Sequence, residues 1–190
     1  MSGMRQKLRF TAVLVVLLII LGTASYREQG KRQMLSFPES LDLVVVTVDG
    51  EQVTLREMAF YIAYEEGSME DAAIIYNPDN TDEYWRLYTN HTFLREQAKQ
   101  TVVDMTVHDT LFAQMAAEEG IVLSEAEEQY LANEQQDFWS DLTEEQRESL
   151  SVSEDTLDET MRKMALAQKY QSILAEMEQV DYEDYSIGGT

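Results

Sequence analysis

Within fifteen residues the chain passes from a strand-like apolar run to helical spacing. Val44-Val45-Val46-Thr47-Val48, the pair Asp49-Gly50 and the return to Val53 predict a β-hairpin, since Asp-Gly takes up the positive φ angles of a tight primed turn. Thr54 and Glu57 follow at the spacing of a capping box, in which each side chain satisfies an orphan backbone N–H. They predict a helix from Leu55 to Glu66 that ends near Gly67, with Met58, Ala59, Ile62 and Ala63 on its apolar side. Asn77-Pro78-Asp79-Asn80 reads as a loop, and Thr81 as the N-cap of a segment that begins at Asp82.

From Asp82 the pattern predicts a long helix reaching Glu119. Leu94, Ala98, Val102, Met105, Phe112 and Met115 recur at spacings of three, four and seven, the mark of one apolar helical face. Gly120 supplies a C-cap, because a left-handed residue there carries no Cβ clash. Ser124 with Glu127 makes a second capping box and opens a helix to about Trp139. Thr143 with Gln146 starts a short helix, and Ser151 or Ser153 starts a last one that runs to about Glu178 through Leu157, Met161, Met164, Ile173 and Leu174. The two prolines, Pro38 and Pro78, both fall in predicted connections, as a helix-rich chain requires. The expected fold is therefore mostly α, with a small N-terminal β-hairpin followed by a helical domain over residues 43–178. Residues 179–190 read as an acidic tail, disordered or an extended arm.

The first 26 residues follow a different pattern. Arg5, Lys7 and Arg9 precede Phe10–Tyr26, 17 residues without a formal charge. As a helix this stretch spans about 26 Å against the ~30 Å of a bilayer core. That suits a cleaved signal peptide or a short uncleaved signal-anchor. Gly22-Thr23-Ala24 offers a cleavage point, whereas Arg27, Lys31 and Arg32 just beyond the apolar core favour the anchor. Either way the basic leader stays inside and the rest is exported, which places the domain at the cell membrane on its outer side. Residues 27–42 read as a linker. The chain contains no Cys, so neither a lipid-modified cysteine nor a disulfide is available to it.

Charge sharpens the division. The first 35 residues hold 6 of the 14 basic residues and 1 of the 36 acidic ones, which leaves 8 basic against 35 acidic from Ser36 onward. Nucleic acid is an unsuitable partner for such a surface, since binding it requires a positive stripe. The plain reading of the charge is solubility; the sharper one is that it keeps bound, partly unfolded polypeptides from aggregating.

Catalytic patterns are missing. His91 and His108 are 17 apart with no metal-ligand spacing, and no phosphate-cradling glycine loop or serine elbow occurs. Asn77, Asp79, Thr81 and Glu83 alternate like a calcium loop but lack its central Gly and distal Glu. Asn90-His91-Thr92 matches a glycosylation acceptor but falls where helix is predicted. Neither enzyme activity nor a cofactor or metal is expected. What remains is methionine and aromatic surface, and Met-rich helical faces can re-pack around unlike partners. Met58, Tyr61, Met105, Phe112, Met115, Met161 and Met164 are the candidate polypeptide-binding residues, with core packing as the competing role for each.

Three segments together resemble the chaperone domain of the SurA/PrsA class of extracytoplasmic foldases. Val48-Asp49-Gly50 with Val53-Thr54 and Glu57 is similar to that family's opening strand, turn and helix start. Leu94-Arg95-Glu96-Gln97-Ala98 through Ala116-Ala117-Glu118-Glu119-Gly120-Ile121, with Ser124-Glu125-Ala126-Glu127 after it, resembles the long helix and the acidic helix start that follows. Met161–Leu174 looks like the closing helix, which in the family packs back near the first hairpin. The resemblance covers roughly Val44–Leu174. It leaves no room for the parvulin-type prolyl isomerase domain of many relatives, so neither isomerase activity nor a catalytic residue is implied. It implies a membrane-tethered, non-catalytic chaperone that holds unfolded or secreted polypeptides. The alternative is a dedicated envelope-complex subunit that docks one membrane or secreted partner.

Overall fold

A computed structural model of the chain describes residues 36–186, and their side chains as far as residue 177. The expected signal or anchor segment, Phe10–Tyr26, lies outside the described residues. Among those described, no helix is long and apolar enough to cross a membrane. The elements run α1 (Phe37–Ser40), β1 (Val44–Val48), β2 (Glu51–Thr54), α2 (Ala59–Tyr76), α3 (Asp82–Trp85), β3 (Tyr88–Thr89), β4 (Thr92–Phe93), α4 (Leu94–Glu118), α5 (Glu125–Asp141), α6 (Glu144–Leu150) and α7 (Glu154–Ser186). The architecture is thus mostly helical with two small antiparallel hairpins.

Residue chemistry accounts for most of these boundaries. Asp49 and Gly50 take φ of 46° and 89°, and β1 pairs with β2 in the register Val46↔Val53, Thr47↔Gln52, Val48↔Glu51, with a bulge between Val44 and Val46. The strand buries Val46 and Val48, the two-residue period of a half-covered sheet. Gly120, at φ 70°, ends α4 as a Schellman motif: its N–H reaches Ala117 O at 3.1 Å, and that of Ile121 reaches Ala116 O at 2.8 Å. The capping boxes at Ser124 and Thr143 form as their spacing predicts; the Ser124 N–H donates to Glu127 at 2.6 Å and that of Thr143 to Gln146 at 2.9 Å. Ser151 ends α6 in the left-handed region, and Ser153 accepts from the Thr156 N–H at the start of α7.

Five expectations need correction. The Thr54–Glu57 capping box forms, but it closes turns over residues 55–58, and regular helix begins at Ala59. That helix does not stop at Gly67; it continues to Tyr76, because the residues beyond are helix formers and a lone interior glycine costs only about 1 kcal/mol. No single helix spans Asp82–Glu119. Asn90 and His91 both have positive φ, 51° and 68°, and turn the chain between β3 and β4 before α4 begins at Leu94. The linker read over residues 27–42 ends in the turn of helix α1, where the Glu39 carboxylate accepts the Ser36 N–H at 2.9 Å and Leu41 is buried. Finally, α7 passes Val180 and reaches Ser186, since no Gly or Pro interrupts it before Gly188.

The core lies where α2, α4 and α7 meet the first hairpin. Val46, Val48 and Val53 pack there with Phe60, Tyr61, Val102, Leu157 and Met161, and α5 and α6 add Leu131, Leu142 and Leu150. The closing helix is tied to the start of the domain by side chains. Lys163 Nζ donates to Glu51 at 2.8 Å, and Thr160 Oγ1 donates to the Glu57 carbonyl at 3.2 Å.

Candidate functional site

The seven candidate binding residues belong to the core or its margin. Met58, Tyr61 and Met161 are each at most 5% exposed. Met105 and Met164 are half-buried against the same cluster. Phe112 stacks on His108 at 4.5 Å and meets Tyr170 edge-on at 6.3 Å, and Met115 is half-buried on the same helix. They therefore line no open groove. A recess of about 590 Å³ beside α4 is lined by Thr92, Glu96, Gln97, Gln100, Thr101 and Asp104, which offer hydrogen bonds rather than an apolar slot.

One buried polar group joins α2 to α4. Tyr61 Oη donates to Asp109 Oδ2 at 3.0 Å, and the other carboxylate oxygen lies 2.8 Å from His108 Nδ1. Burial first, and then the Asp109 charge, hold the Tyr61 phenol above its ordinary range, so it stays a donor. The arrangement locks two helices together and places no nucleophile beside the histidine.

Apolar side chains that do stand in solvent are concentrated in one stretch of the chain. Of ten large exposed ones, six lie between Tyr64 and Phe93: Tyr64, Ile74, Ile75, Tyr76, Tyr88 and Phe93. Ile75 is 86% exposed. On α2 the positions 64, 68, 71 and 75 are all exposed and follow helical spacing, so Tyr64, Ser68, Asp71 and Ile75 share the outer face. This tip is firmly built. Trp85 Nε1 donates to Glu70 at 2.5 Å and docks α3 on α2. The amides of Asn77 and Asn80 hold the two oxygens of Glu83 at 2.9 and 3.1 Å. Tyr76 packs against Tyr84 at 5.7 Å. In the second hairpin Tyr88 meets Phe93 at 5.2 Å, and Arg95 sits over the Phe93 ring at 5.0 Å.

Asn77 and Glu83, from the segment that alternates like a calcium loop without its central Gly and distal Glu, are part of this brace. Asn77 Nδ2 donates to Glu83 rather than turning an oxygen toward a cation, and among the described residues no group of three His, Cys, Asp or Glu is placed to hold a metal.

No protein-family model, no curated protein and no solved structure matches this chain.

Methionine at helical spacing marks the core, whereas the tip carries no such period. A signal was present in Ile74-Ile75-Tyr76 ahead of Asn-Pro-Asp. Three consecutive large apolar residues sweep about 200° of a helix, so they cannot all face one core.

Proposed function

We propose that this chain is a membrane-tethered, extracytoplasmic holdase that binds unfolded or secreted polypeptides without catalysis. The observation that carries the proposal is the exposed apolar tip, Tyr64 to Phe93, on a domain whose core is otherwise closed. Concentrated apolar exposure marks a binding surface, and its Ile and Tyr side chains can grip segments of many sequences. The surrounding carboxylates would keep the loaded complex soluble. The resemblance to extracytoplasmic foldase chaperones agrees with this reading, as does the apolar segment Phe10–Tyr26 as a tether. The test is aggregation of a chemically unfolded client, followed by light scattering, with the full chain in non-ionic micelles at modest molar excess. A clear delay supports holding, and an unchanged rate refutes it. Protease protection in sealed vesicles tests the topology: the domain should be cut only from the outer side.

A dedicated docking subunit is the second reading. The continuation of α7 to Ser186, with Met177 exposed on it, favours it. Recovery of one stoichiometric partner from solubilised membranes, rather than a mixture, would select that reading.

A further inference from the structure

We propose that the tip formed by α2, α3 and the β3–β4 hairpin recognises polypeptide segments in which lysine or arginine stands beside large apolar side chains. The inference rests on the holdase reading and adds to it the place and the chemistry of contact.

Carboxylates are interleaved with the exposed apolar side chains. From Glu65 to Glu96 the chain carries eight acidic residues against two arginines. Both arginines are already engaged, Arg86 with Asp82 and Arg95 with Glu96. Asp71 lies one helical turn before Ile75 on the same outer face, which sets a carboxylate beside the most exposed apolar side chain of the tip. Glu66, Asp71 and Asp79 form no ion pair among the described residues, and all three are exposed. An incoming ammonium or guanidinium would thus meet an unpaired carboxylate, that of Asp71, one helical turn from Ile75.

The aromatic residues add a second means of recognition. A cation over an aromatic ring is attracted by the ring's negative face. This fold already uses that contact twice, with Arg95 over Phe93 and Arg147 over Trp139, each at 5.0 Å. Tyr64, Tyr76 and Tyr88 present further exposed rings.

Competing occupants fit worse. An anionic surface needs free cations, yet each of the eight lysines and arginines after residue 35 already has a partner. Arg56, Arg86, Arg95, Lys99, Arg162, Lys163 and Lys169 are in ion pairs, and Arg147 holds the Trp139 and Ser140 carbonyls. A second copy of the domain would bring the same negative charge to the same place.

The test uses the full chain in non-ionic micelles and three fluorescent peptides of equal length, measured by anisotropy. One combines leucine and phenylalanine with lysine, one combines them with glutamate, and one carries lysine among serines. The first should bind at least about tenfold more tightly than either of the others, and raising salt from about 0.05 to 0.5 M should weaken it by screening. Two surface variants divide the contributions: Tyr64→Ser with Ile75→Ser, and Glu66→Gln with Asp71→Asn and Asp79→Asn. Each should lower affinity for the first peptide by about tenfold with an unchanged circular dichroism spectrum. Equal binding of the lysine and glutamate peptides overturns the proposal, as does wild-type affinity in both variants. If aggregation is still suppressed in those variants, holding stands and the tip is not its site; if the parent neither binds nor suppresses, both readings fall. A concentration-dependent dimer abolished by Ile75→Ser would also overturn the proposal, in favour of an interface between copies.

Discussion

Replacing Tyr61 with phenylalanine removes one oxygen and tests how the two central helices are joined. The ring is 2% exposed and its hydroxyl donates to Asp109, itself 7% exposed, at 3.0 Å. Phenylalanine keeps the edge contact with Phe60, 5.2 Å away, so little packing is lost. What is lost is a donor to a buried carboxylate, and hydrogen bonds to charged groups are worth about 1.5–3 kcal/mol. For a domain of this size that is a fall of roughly 3–12 °C in Tm. Urea unfolding of the full chain in non-ionic micelles, followed by far-UV circular dichroism, gives the difference directly. Tyr88→Phe is the control: its hydroxyl donates to the His91 carbonyl at 2.9 Å but is exposed, so its effect should stay within about 0.5 kcal/mol. The pH dependence adds a second check. The folded phenol titrates above its ordinary value, so its contribution is whole below pH about 10 and is lost as pH rises beyond it. The gap between parent and variant should therefore be constant below pH about 10 and narrow above it. A gap under about 0.5 kcal/mol, or one that ignores alkaline pH, would refute the idea that this bond joins α2 to α4.

Glu127 gives the opposite pH window. The hydrogen bond from Lys169, then those from the Ser124 N–H and hydroxyl, lower its carboxyl from 4.5 to about 2. Its contribution is whole above pH 4.5 and is lost as pH falls toward about 2. Lys169→Met should move the acid-unfolding midpoint upward, with the difference from the parent closing near pH 2. The two glycines should respond with opposite signs in urea titrations. Gly120→Ala should cost about 1–2 kcal/mol because φ there is positive. Gly67→Ala should gain about 0.5–1 kcal/mol, since an added Cβ inside α2 meets nothing within 4 Å. Leu157→Ala, in the core at 1% exposure, should lose about 2–5 kcal/mol in the same assay.

Punctuation was the legible part of this chain. Asp49-Gly50, Ser124-Glu127, Thr143-Gln146 and Gly120 each act locally, through a backbone angle or an orphan N–H, so a few residues suffice to define them. Events that depend on distant partners were harder to read. The turn at Asn90-His91 contains no glycine, and its positive φ angles are held by pairing of Tyr88 with Phe93 and by Gln97 reaching the Thr89 carbonyl. Gly67 resembles a helix end, yet the docking of Trp85 on Glu70 requires α2 to continue. Methionine spacing located a face of α4 correctly but could not say that α2, α7 and the first hairpin would cover it. The candidate tip, built from exposed rather than periodic residues, therefore fell outside the pattern that led to the core.

The ties from Lys163 to Glu51 and from Thr160 to Glu57 span 112 and 103 residues. They imply an order of events as the chain is made. The first hairpin emerges early, with valine side chains and a free strand edge, but its closing partners arrive only with α7. At about 5–20 residues per second the interval is of the order of 5–20 s. Until then the hairpin is open to mispairing with other strands. Premature release before residue 163 should thus yield a fragment that aggregates through its N-terminal strand, and folding should be slow relative to that of a purely local helical bundle.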